Sequence, residues 1–213
     1  QLDDMRALGL TSDAVLVQSQ NHRRHWEAFR AAASSGVIYS CVCSRKEVQA
    51  DLAAMASAPH GATPSYSGRC RPAQKTAVSL AKMPVSASGL GWRFRMPDES
   101  GRDDFIIGRG AGESPEEFQP AYHWACGIDD FDGDYRLLVR ASDLASAAVA
   151  QRAIQSWLSE ALSASKPRWP ALFHAALVTR PDGGRLEKRT RGVTLPELAT
   201  AGWTAEKLVA AIE

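Results

Sequence analysis

The apolar residues of the chain recur at two alternating periods, which predict a succession of helices and strands. Residues 1–8 and 21–35 carry apolar side chains three and four positions apart, and Gly9 and Gly36 follow them as candidate caps. Both segments are therefore predicted to be helices. The β-branched run VIYSCVC at residues 37–43 predicts a buried strand. The alternation of strands with helices indicates the α/β class.

Local signals also divide the middle of the chain. Ser44 and Glu47 stand three residues apart before an apolar run, which is the capping-box pattern at the start of a helix. Residues 57–69 are rich in Ser, Gly and Pro and are predicted to be a loop. Residues 92–107 are predicted to form two strands around a turn.

Residues 122–140 carry the strongest hairpin pattern, with two apolar stretches around an acidic turn that contains Gly133. In this interpretation Asp129 and Asp130 serve the turn, because aspartate favours turn starts, and they carry no chemistry. Cys126 then falls within a strand, where a buried, apolar role is the stronger expectation.

The last third is predicted to contain one long helix, one strand and two short helices. The long helix begins at Ser142, and its apolar residues recur three and four positions apart. A strand follows over residues 171–179. Thr194 and Thr204 each begin a short helix, the first with Pro196 in its first turn.

Composition and charge limit the possible function classes only weakly. Of the 213 residues, 45% are apolar and 23% are charged, as in ordinary globular proteins. The net charge of +1 provides no global basic field that would indicate a nucleic-acid partner. No apolar run is long enough for a membrane span, and no signal-peptide pattern opens the chain, so a reducing cytoplasm is expected. Disulfides are not expected in that compartment.

Three of the four cysteines suggest a metal site. Cys41 and Cys43 form a C-x-C pair at the end of the predicted strand, and the Ser/Gly/Pro-rich loop leads to Cys70. Thiolates suit zinc, and a structural zinc site needs a fourth ligand, which Tyr66 or His60 could supply. From the spacing alone, a pair of buried apolar thiols is an equal alternative for the C-x-C residues.

Three stretches resemble one protein family, in the same order along the chain. YSCVCSRKEV, followed by YSGRCR, is similar to the zinc-binding insertion of the glutamyl-Q tRNA(Asp) synthetases, whose pattern is C-x-C and then Y-x-x-x-C-R. YHWACGIDDFDGDYRLLVRASDL and LFHAALVTRPDGGRLEKR resemble later parts of the same family. These enzymes are short relatives of the class I glutamyl-tRNA synthetases.

The resemblance implies a set of site residues. The ligands implied for a structural Zn²⁺ ion are Cys41, Cys43, Tyr66 and Cys70. Tyr122 and Arg140 are implied to contact bound glutamate, and a guanidinium can clamp a carboxylate with two parallel hydrogen bonds. The stretch RLEKR falls at the K-M-S-K-S loop of class I synthetases, so Arg185 and Lys188 are implied to bind the phosphates of ATP. Glu187 stands there in place of a serine.

The implied fold is the Rossmann-like α/β catalytic domain of class I aminoacyl-tRNA synthetases, built on a parallel sheet and carrying a zinc-bearing insertion. Residues 1–36 are expected to be the remainder of the nucleotide-binding fold, residues 37–110 the zinc-bearing insertion, and residues 111–213 the second half of the catalytic fold. Nothing in the sequence matches the family's H-I-G-H segment. The domain is therefore expected to be amino-terminally incomplete and the chain to be a fragment.

The implied reaction is the activation of glutamate with ATP and Mg²⁺, followed by transfer to the queuosine base of tRNA(Asp). A monomer without membrane contact is expected. Two alternatives remain open. One is a non-catalytic derivative that keeps a glutamate- or tRNA-binding surface, which Glu187 and the missing segment favour, and the other is a fragment of a discriminating glutamyl-tRNA synthetase.

Overall fold

A computed structural model of the chain describes residues 2–56, 66–80, 90–98, 103–162, 169–179 and 194–211. The chain divides into two compact units. One unit comprises residues 17–140 and 144–174, and the other comprises residues 1–16, 141–143 and 175–213.

The described residues form seven α-helices and six strands. The helices are α1 (Leu2–Ala7), α2 (His22–Ser35), α3 (Arg45–Ala56), α4 (Tyr122–Asp132), α5 (Ala147–Ala161), α6 (Leu195–Thr200) and α7 (Ala205–Ala210). The strands are β1 (Ile38–Cys41), β2 (Gly91–Phe94), β3 (Phe105–Arg109), β4 (Gln119–Pro120), β5 (Leu137–Ala141) and β6 (Ala171–Ala175). Among the described helices, none combines the length and the hydropathy that crossing a lipid bilayer requires.

Most of the predicted helix ends are confirmed. Gly36 ends α2 with a left-handed backbone at φ 71°. The backbone N–H of Ser44 donates to the Glu47 carboxylate, and the N–H of Glu47 donates to the Ser44 hydroxyl, which completes the predicted capping box of α3. Thr194 and Thr204 accept from the first turns of α6 and α7. Short-range hydrogen bonds therefore set these ends.

The largest sheet has the order β1-β2-β3-β4, and its three strand pairs are antiparallel. This sheet spans residues 38–120 and so lies mostly in the segment expected to be the zinc-bearing insertion. The strand–helix–strand order of a Rossmann-like fold occurs instead at β5, α5 and β6, whose two strands pair in a second sheet. In the first sheet Tyr39 lies opposite Arg93, so both side chains share one face with Cys41.

The main core lies between the four-stranded sheet and helices α2, α4 and α5. The ring of Phe29 stacks on Phe118 at 4.2 Å between centroids and meets Trp92 edge-on at 4.9 Å. Trp124 of α4 stacks on Trp157 of α5 at 5.9 Å. These large, fully packed aromatic side chains dominate the burial of apolar surface in this unit.

The hairpin predicted over residues 122–140 is wrong in its first half, because residues 122–132 form helix α4. Trp124 and Ile128 stand one helical turn apart and are both completely buried. Gly127 lets α4 approach α5 closely, since a Cβ there would lie 3.3 Å from the side chain of Ile154. Packing against α5 therefore favours the helix over a strand with alternating faces.

The predicted start of the long helix is also displaced. Ser142 begins a short 3-10 turn, and α5 itself begins at Ala147. Helix ends of this kind are the least determined by sequence, because a 3-10 turn and an α-helix share the same local signals.

Candidate functional site

Three cysteine sulfurs converge at one end of β1. Cys41 ends the strand, Cys43 lies in the short connection to α3, and Cys70 lies four residues after Tyr66 in the described range 66–80. The three sulfurs all lie within 4.8 Å of one another. The Sγ atoms of Cys43 and Cys70 are 3.4 Å apart, and the Tyr66 hydroxyl lies 3.6 Å from the Cys41 Sγ atom.

These distances fit a metal ion and exclude a disulfide in this structure. A sulfur–sulfur bond is about 2.05 Å long, well below the 3.4 Å observed, and the cysteines are free. Zinc–sulfur bonds of about 2.3 Å at tetrahedral angles place sulfurs about 3.8 Å apart. Soft thiolate donors at this spacing could hold a single metal ion. His60 lies outside the described residues.

Tyr66 is positioned beside the sulfurs by its own segment. Its ring is buried, and its hydroxyl accepts a hydrogen bond of 2.9 Å from the backbone N–H of Cys70. Burial raises the pKa of the Tyr66 phenol, so the isolated phenol keeps its proton at neutral pH. The hydroxyl oxygen lies beside the Cys41 sulfur and is a candidate for the fourth metal ligand.

Arg93 is a site residue that sequence reasoning missed. Its guanidinium lies 3.5 Å above the centre of the Tyr66 ring, and its Nε donates to the Cys41 Sγ atom at 3.3 Å. The sequence signal is an arginine between two aromatic residues, Trp92 and Phe94, in strand β2. The contact itself follows from the register of β2 against β1, which brings Arg93 next to the C-x-C pair.

The thiols differ in their electrostatics. Burial alone would raise the pKa of Cys41, but hydrogen bonds from Arg93 and Tyr66 outweigh it and lower this pKa to about 7. Burial raises the pKa of Cys43 to about 11, and the neighbouring Cys70 and Cys41 thiols add to this effect. Cys41 is therefore the sulfur that is prepared to be a thiolate.

A buried carboxylate anchors the segment that carries Cys70. Asp104 accepts from the Tyr39 hydroxyl at 2.6 Å, from the backbone N–H of Met96 at 2.8 Å and from Arg71 at 2.5 Å. Arg71 directly follows Cys70. This ion pair therefore holds Cys70, the third cysteine of the sulfur cluster, close to the sheet.

A second polar cluster joins two other predicted site residues. Arg140, at the end of β5, donates to Asp130 and to the Gln151 side-chain oxygen, each at 2.5 Å. Tyr122 lies nearby at the start of α4. Burial raises the pKa of Tyr122, the Cys126 thiol adds to this, and Arg140 and Gln151 oppose it. The structure thus places Tyr122 within electrostatic range of Arg140, and Gln151, which bonds to Arg140, is a neighbour that sequence reasoning missed.

The side-chain nitrogen of Gln151 is buried and has no hydrogen-bond partner in the part of the chain that the structure describes. Since the oxygen of the same amide accepts from Arg140, the unpaired N–H group belongs to the Tyr122–Arg140 cluster. A weaker interaction of the Gln151 side chain with the Tyr122 phenol opposes the rise of the Tyr122 pKa, so Tyr122 is the neighbour of this N–H group.

The aspartate pair does not serve a turn, contrary to expectation, because both residues lie within α4. Asp129 accepts from His25 at 2.7 Å, from Asn21 at 2.5 Å and from Gln18 at 2.8 Å, and so ties α4 to α2. Asp130 is buried in its ion pair with Arg140. Each carboxylate therefore has a tertiary role.

Cys126 lies in α4 as well, rather than in a strand, and is only partly buried. The Gln18 side chain reaches to 3.6 Å from its sulfur. Burial raises the pKa of this thiol, which keeps it protonated at neutral pH. The expectation that Cys126 is a buried residue with an apolar role is therefore only partly confirmed.

Comparison with known proteins places the chain in a family. No family model matches it. The chain is 32% identical over 222 residues to the glutamyl-Q tRNA(Asp) synthetase of Nocardia farcinica, and the match covers 99% of this chain and 66% of that protein. It is 30% identical over 234 residues to the glutamyl-Q tRNA(Asp) synthetase of Symbiobacterium thermophilum, covering 97% of this chain and 67% of that one. The chain belongs to the glutamyl-Q tRNA(Asp) synthetase family.

The chain spans about two thirds of the length of these glutamyl-Q tRNA(Asp) synthetases. Among solved structures, the glutamate-tRNA synthetase of Elizabethkingia anophelis matches with a TM-score of 0.56 and 18% identity, covering 90% of this chain and 43% of that one. This likeness confirms the fold of the class I synthetase catalytic domain. The residues expected at the phosphate-binding loop of the family, Arg185 and Lys188, lie outside the described residues.

Proposed function

We propose that the protein activates glutamate with ATP and Mg²⁺ and transfers the glutamyl group to the queuosine base of tRNA(Asp). One observation carries this proposal: the chain matches glutamyl-Q tRNA(Asp) synthetases at 30–32% identity over nearly its whole length. The reaction requires positioning and charge stabilisation more than a general base, so no general base is assigned for it.

Arg140 and Tyr122 are proposed to bind glutamate. A guanidinium has five N–H donors, and the bonds to Asp130 and Gln151 leave others for a carboxylate of the substrate. Asp130 neutralises the arginine when the site is empty and fixes its orientation. Tyr122 is 42% exposed, so a ligand can reach this residue.

The four ligands proposed for a structural Zn²⁺ ion are Cys41, Cys43, Tyr66 and Cys70. Four protein donors leave no open coordination position, so the ion would tie the segment 66–71 to β1 and the start of α3 without entering the chemistry. The donor chemistry and the convergence of the sulfurs support this assignment. Arg185 and Lys188 are proposed to bind the phosphates of ATP.

Three segments are proposed to divide these tasks. Residues 1–36 belong to the nucleotide-binding fold, residues 37–110 to the zinc-bearing insertion, and residues 111–213 to the second half of the catalytic fold. We further propose that the protein acts as a monomer in the cytoplasm.

The test is glutamate-dependent exchange between ATP and pyrophosphate, followed by glutamate transfer to tRNA(Asp), with the protein expressed from the full reading frame that encodes it. Exchange with glutamate but not with aspartate, and transfer only to tRNA(Asp) that carries queuosine, are expected. Transfer to the 3′ end of a glutamate tRNA would instead indicate a glutamyl-tRNA synthetase.

A non-catalytic binding protein is the second candidate, and Glu187 in the stretch RLEKR favours it. An acidic side chain next to a triphosphate opposes its binding through like-charge repulsion. If exchange stays absent while glutamate or tRNA(Asp) still binds, the enzymatic proposal is wrong and the binding function holds.

A further inference from the structure

Arg93 is a buried cation whose partners are unusual. It is 6% exposed, and among the described residues it forms no ion pair with a carboxylate. Its Nε donates to the Cys41 sulfur at 3.3 Å, and its Nη1 donates to the backbone oxygen of Asp104 at 3.0 Å. The face of its guanidinium covers the Tyr66 ring at 3.5 Å. All three contacts lie at or beside the sulfur cluster.

A guanidinium in such a position needs a compensating negative charge. Burial of an unpaired charge costs several kcal/mol, and the side chain of Asp104 is already bonded to Tyr39 and Arg71. The group that the Nε–H faces is the Cys41 sulfur. A Zn²⁺ ion with three thiolates carries a net negative charge of one, before any charge on Tyr66, and Arg93 would balance it.

We propose that Arg93 is a positioning residue of the metal centre, which orients the Cys41 sulfur and the Tyr66 ring toward one ion and balances the charge of the bound thiolates. This inference rests on the zinc site proposed above. It gives the centre an outer partner on the sheet, because β2 carries Arg93 and β1 carries Cys41. Outer partners of this kind orient ligands and raise metal affinity about 10–100-fold.

Arg95 supplies a matched control. It follows Arg93 by two residues and is buried to a similar degree, at 8% exposure. Its guanidinium donates to the backbone oxygens of Pro72 and Ala73, and it lies 3.9 Å from the Asp98 carboxylate. It therefore differs from Arg93 in having a carboxylate partner, and it does not reach the sulfurs or the Tyr66 ring in the described structure. A loss of metal affinity that arises from any buried arginine would therefore appear in Arg95→Met as well.

The experiment compares the wild type with Arg93→Met, Arg93→Lys and Arg95→Met. Zinc affinity is measured by competition with a chromophoric chelator, and Co²⁺ is used as a spectroscopic substitute. We expect zinc affinity to fall about 10–100-fold in Arg93→Met and less in Arg93→Lys, while Arg95→Met stays within about threefold of the wild type. The thiolate-to-cobalt absorption band should move to lower energy only in the Arg93 variants, because the sulfur loses a hydrogen bond.

The outcomes separate the proposed zinc site from the proposed role of Arg93. If the wild type takes up no stoichiometric zinc, the proposed zinc site is wrong and this inference with it. If the wild type binds zinc, and Arg93→Met matches it in affinity and in the cobalt band, only the role of Arg93 is wrong. Should Arg93→Met fail to fold by circular dichroism, the band position and affinity of Arg93→Lys decide in the same way.

Discussion

Replacing Arg140 tests whether this arginine is a substrate ligand or a structural partner only. The ion pair of Arg140 with Asp130 is shielded, since the two side chains are 15% and 8% exposed. Arg140→Met leaves the Asp130 carboxylate buried without its cation. Breaking a buried pair from one side costs about 3–5 kcal/mol, a large share of the 5–15 kcal/mol that typically stabilises a domain. The double variant Arg140→Met/Asp130→Asn leaves no charge behind and should recover about half of this loss.

The loss of unfolding free energy in Arg140→Met should depend on pH. Burial raises the pKa of Asp130, and Arg140 opposes this rise, so the pKa climbs further once the arginine is removed. A carboxyl group with a raised folded-state pKa contributes its full stability below its unfolded pKa of about 3.9 and loses that contribution as the pH rises through the folded value. The deficit of Arg140→Met relative to the wild type should therefore be small near pH 4 and grow toward pH 7, whereas the double variant should lack this growth.

Urea unfolding followed by tryptophan fluorescence measures the stability, and calorimetric titration measures glutamate binding to the protein from the full reading frame. If Arg140 clamps glutamate, binding is lost in both the single and the double variant, while Asp130→Asn alone retains it. The reasoning is refuted if Arg140→Met lies within about 1 kcal/mol of the wild type at pH 7. Recovery of glutamate binding in the double variant would show that the arginine acts only through the fold.

Three further predictions concern the metal centre, one histidine and one glycine. Cys43→Ser should abolish zinc binding, as measured by elemental analysis. It should also speed hydrogen exchange over residues 66–71 while α4 and α5 stay protected, because the Tyr39–Cys41–Tyr66 cluster is separate from the main core. Burial lowers the pKa of His123, so its contribution to stability is present above the unfolded pKa of about 6.5 and is lost as the pH falls. His123→Phe should therefore reduce the loss of unfolding free energy between pH 7 and pH 5. An unchanged dependence of the unfolding free energy on pH would contradict this. Gly112→Ala should cost about 2–4 kcal/mol in urea unfolding, because its φ is +81° and a Cβ would lie 2.4 Å from an aromatic carbon of the core. The control Gly9→Ala, at φ +72° with open space around it, should cost only about 1 kcal/mol, and equal losses would refute the packing argument.

Local chemistry in the sequence was sufficient for several helix ends, and the family resemblance added the residues of the sulfur cluster. The box of Ser44 and Glu47 and the cap at Gly36 depend on neighbours within a few positions, so the pattern alone predicts them. Cys41, Cys43 and Cys70 were identified as one set by the family resemblance, because their spacing alone left buried apolar thiols as an equal alternative for Cys41 and Cys43. Their convergence within 4.8 Å agrees with that prediction.

Only the tertiary structure decided the state of residues 122–132 and the partners of the site. The apolar pattern around Trp124 permits a strand or a helix, and the close packing of Gly127 on α5 selects the helix. Arg93 meets Cys41 through the register of two strands 52 positions apart in the chain, and Gln151 meets Arg140 from another helix. Contacts of this kind depend on long-range pairing and burial, which no local period encodes, whereas the ligand spacing and the caps are properties of short stretches of chain.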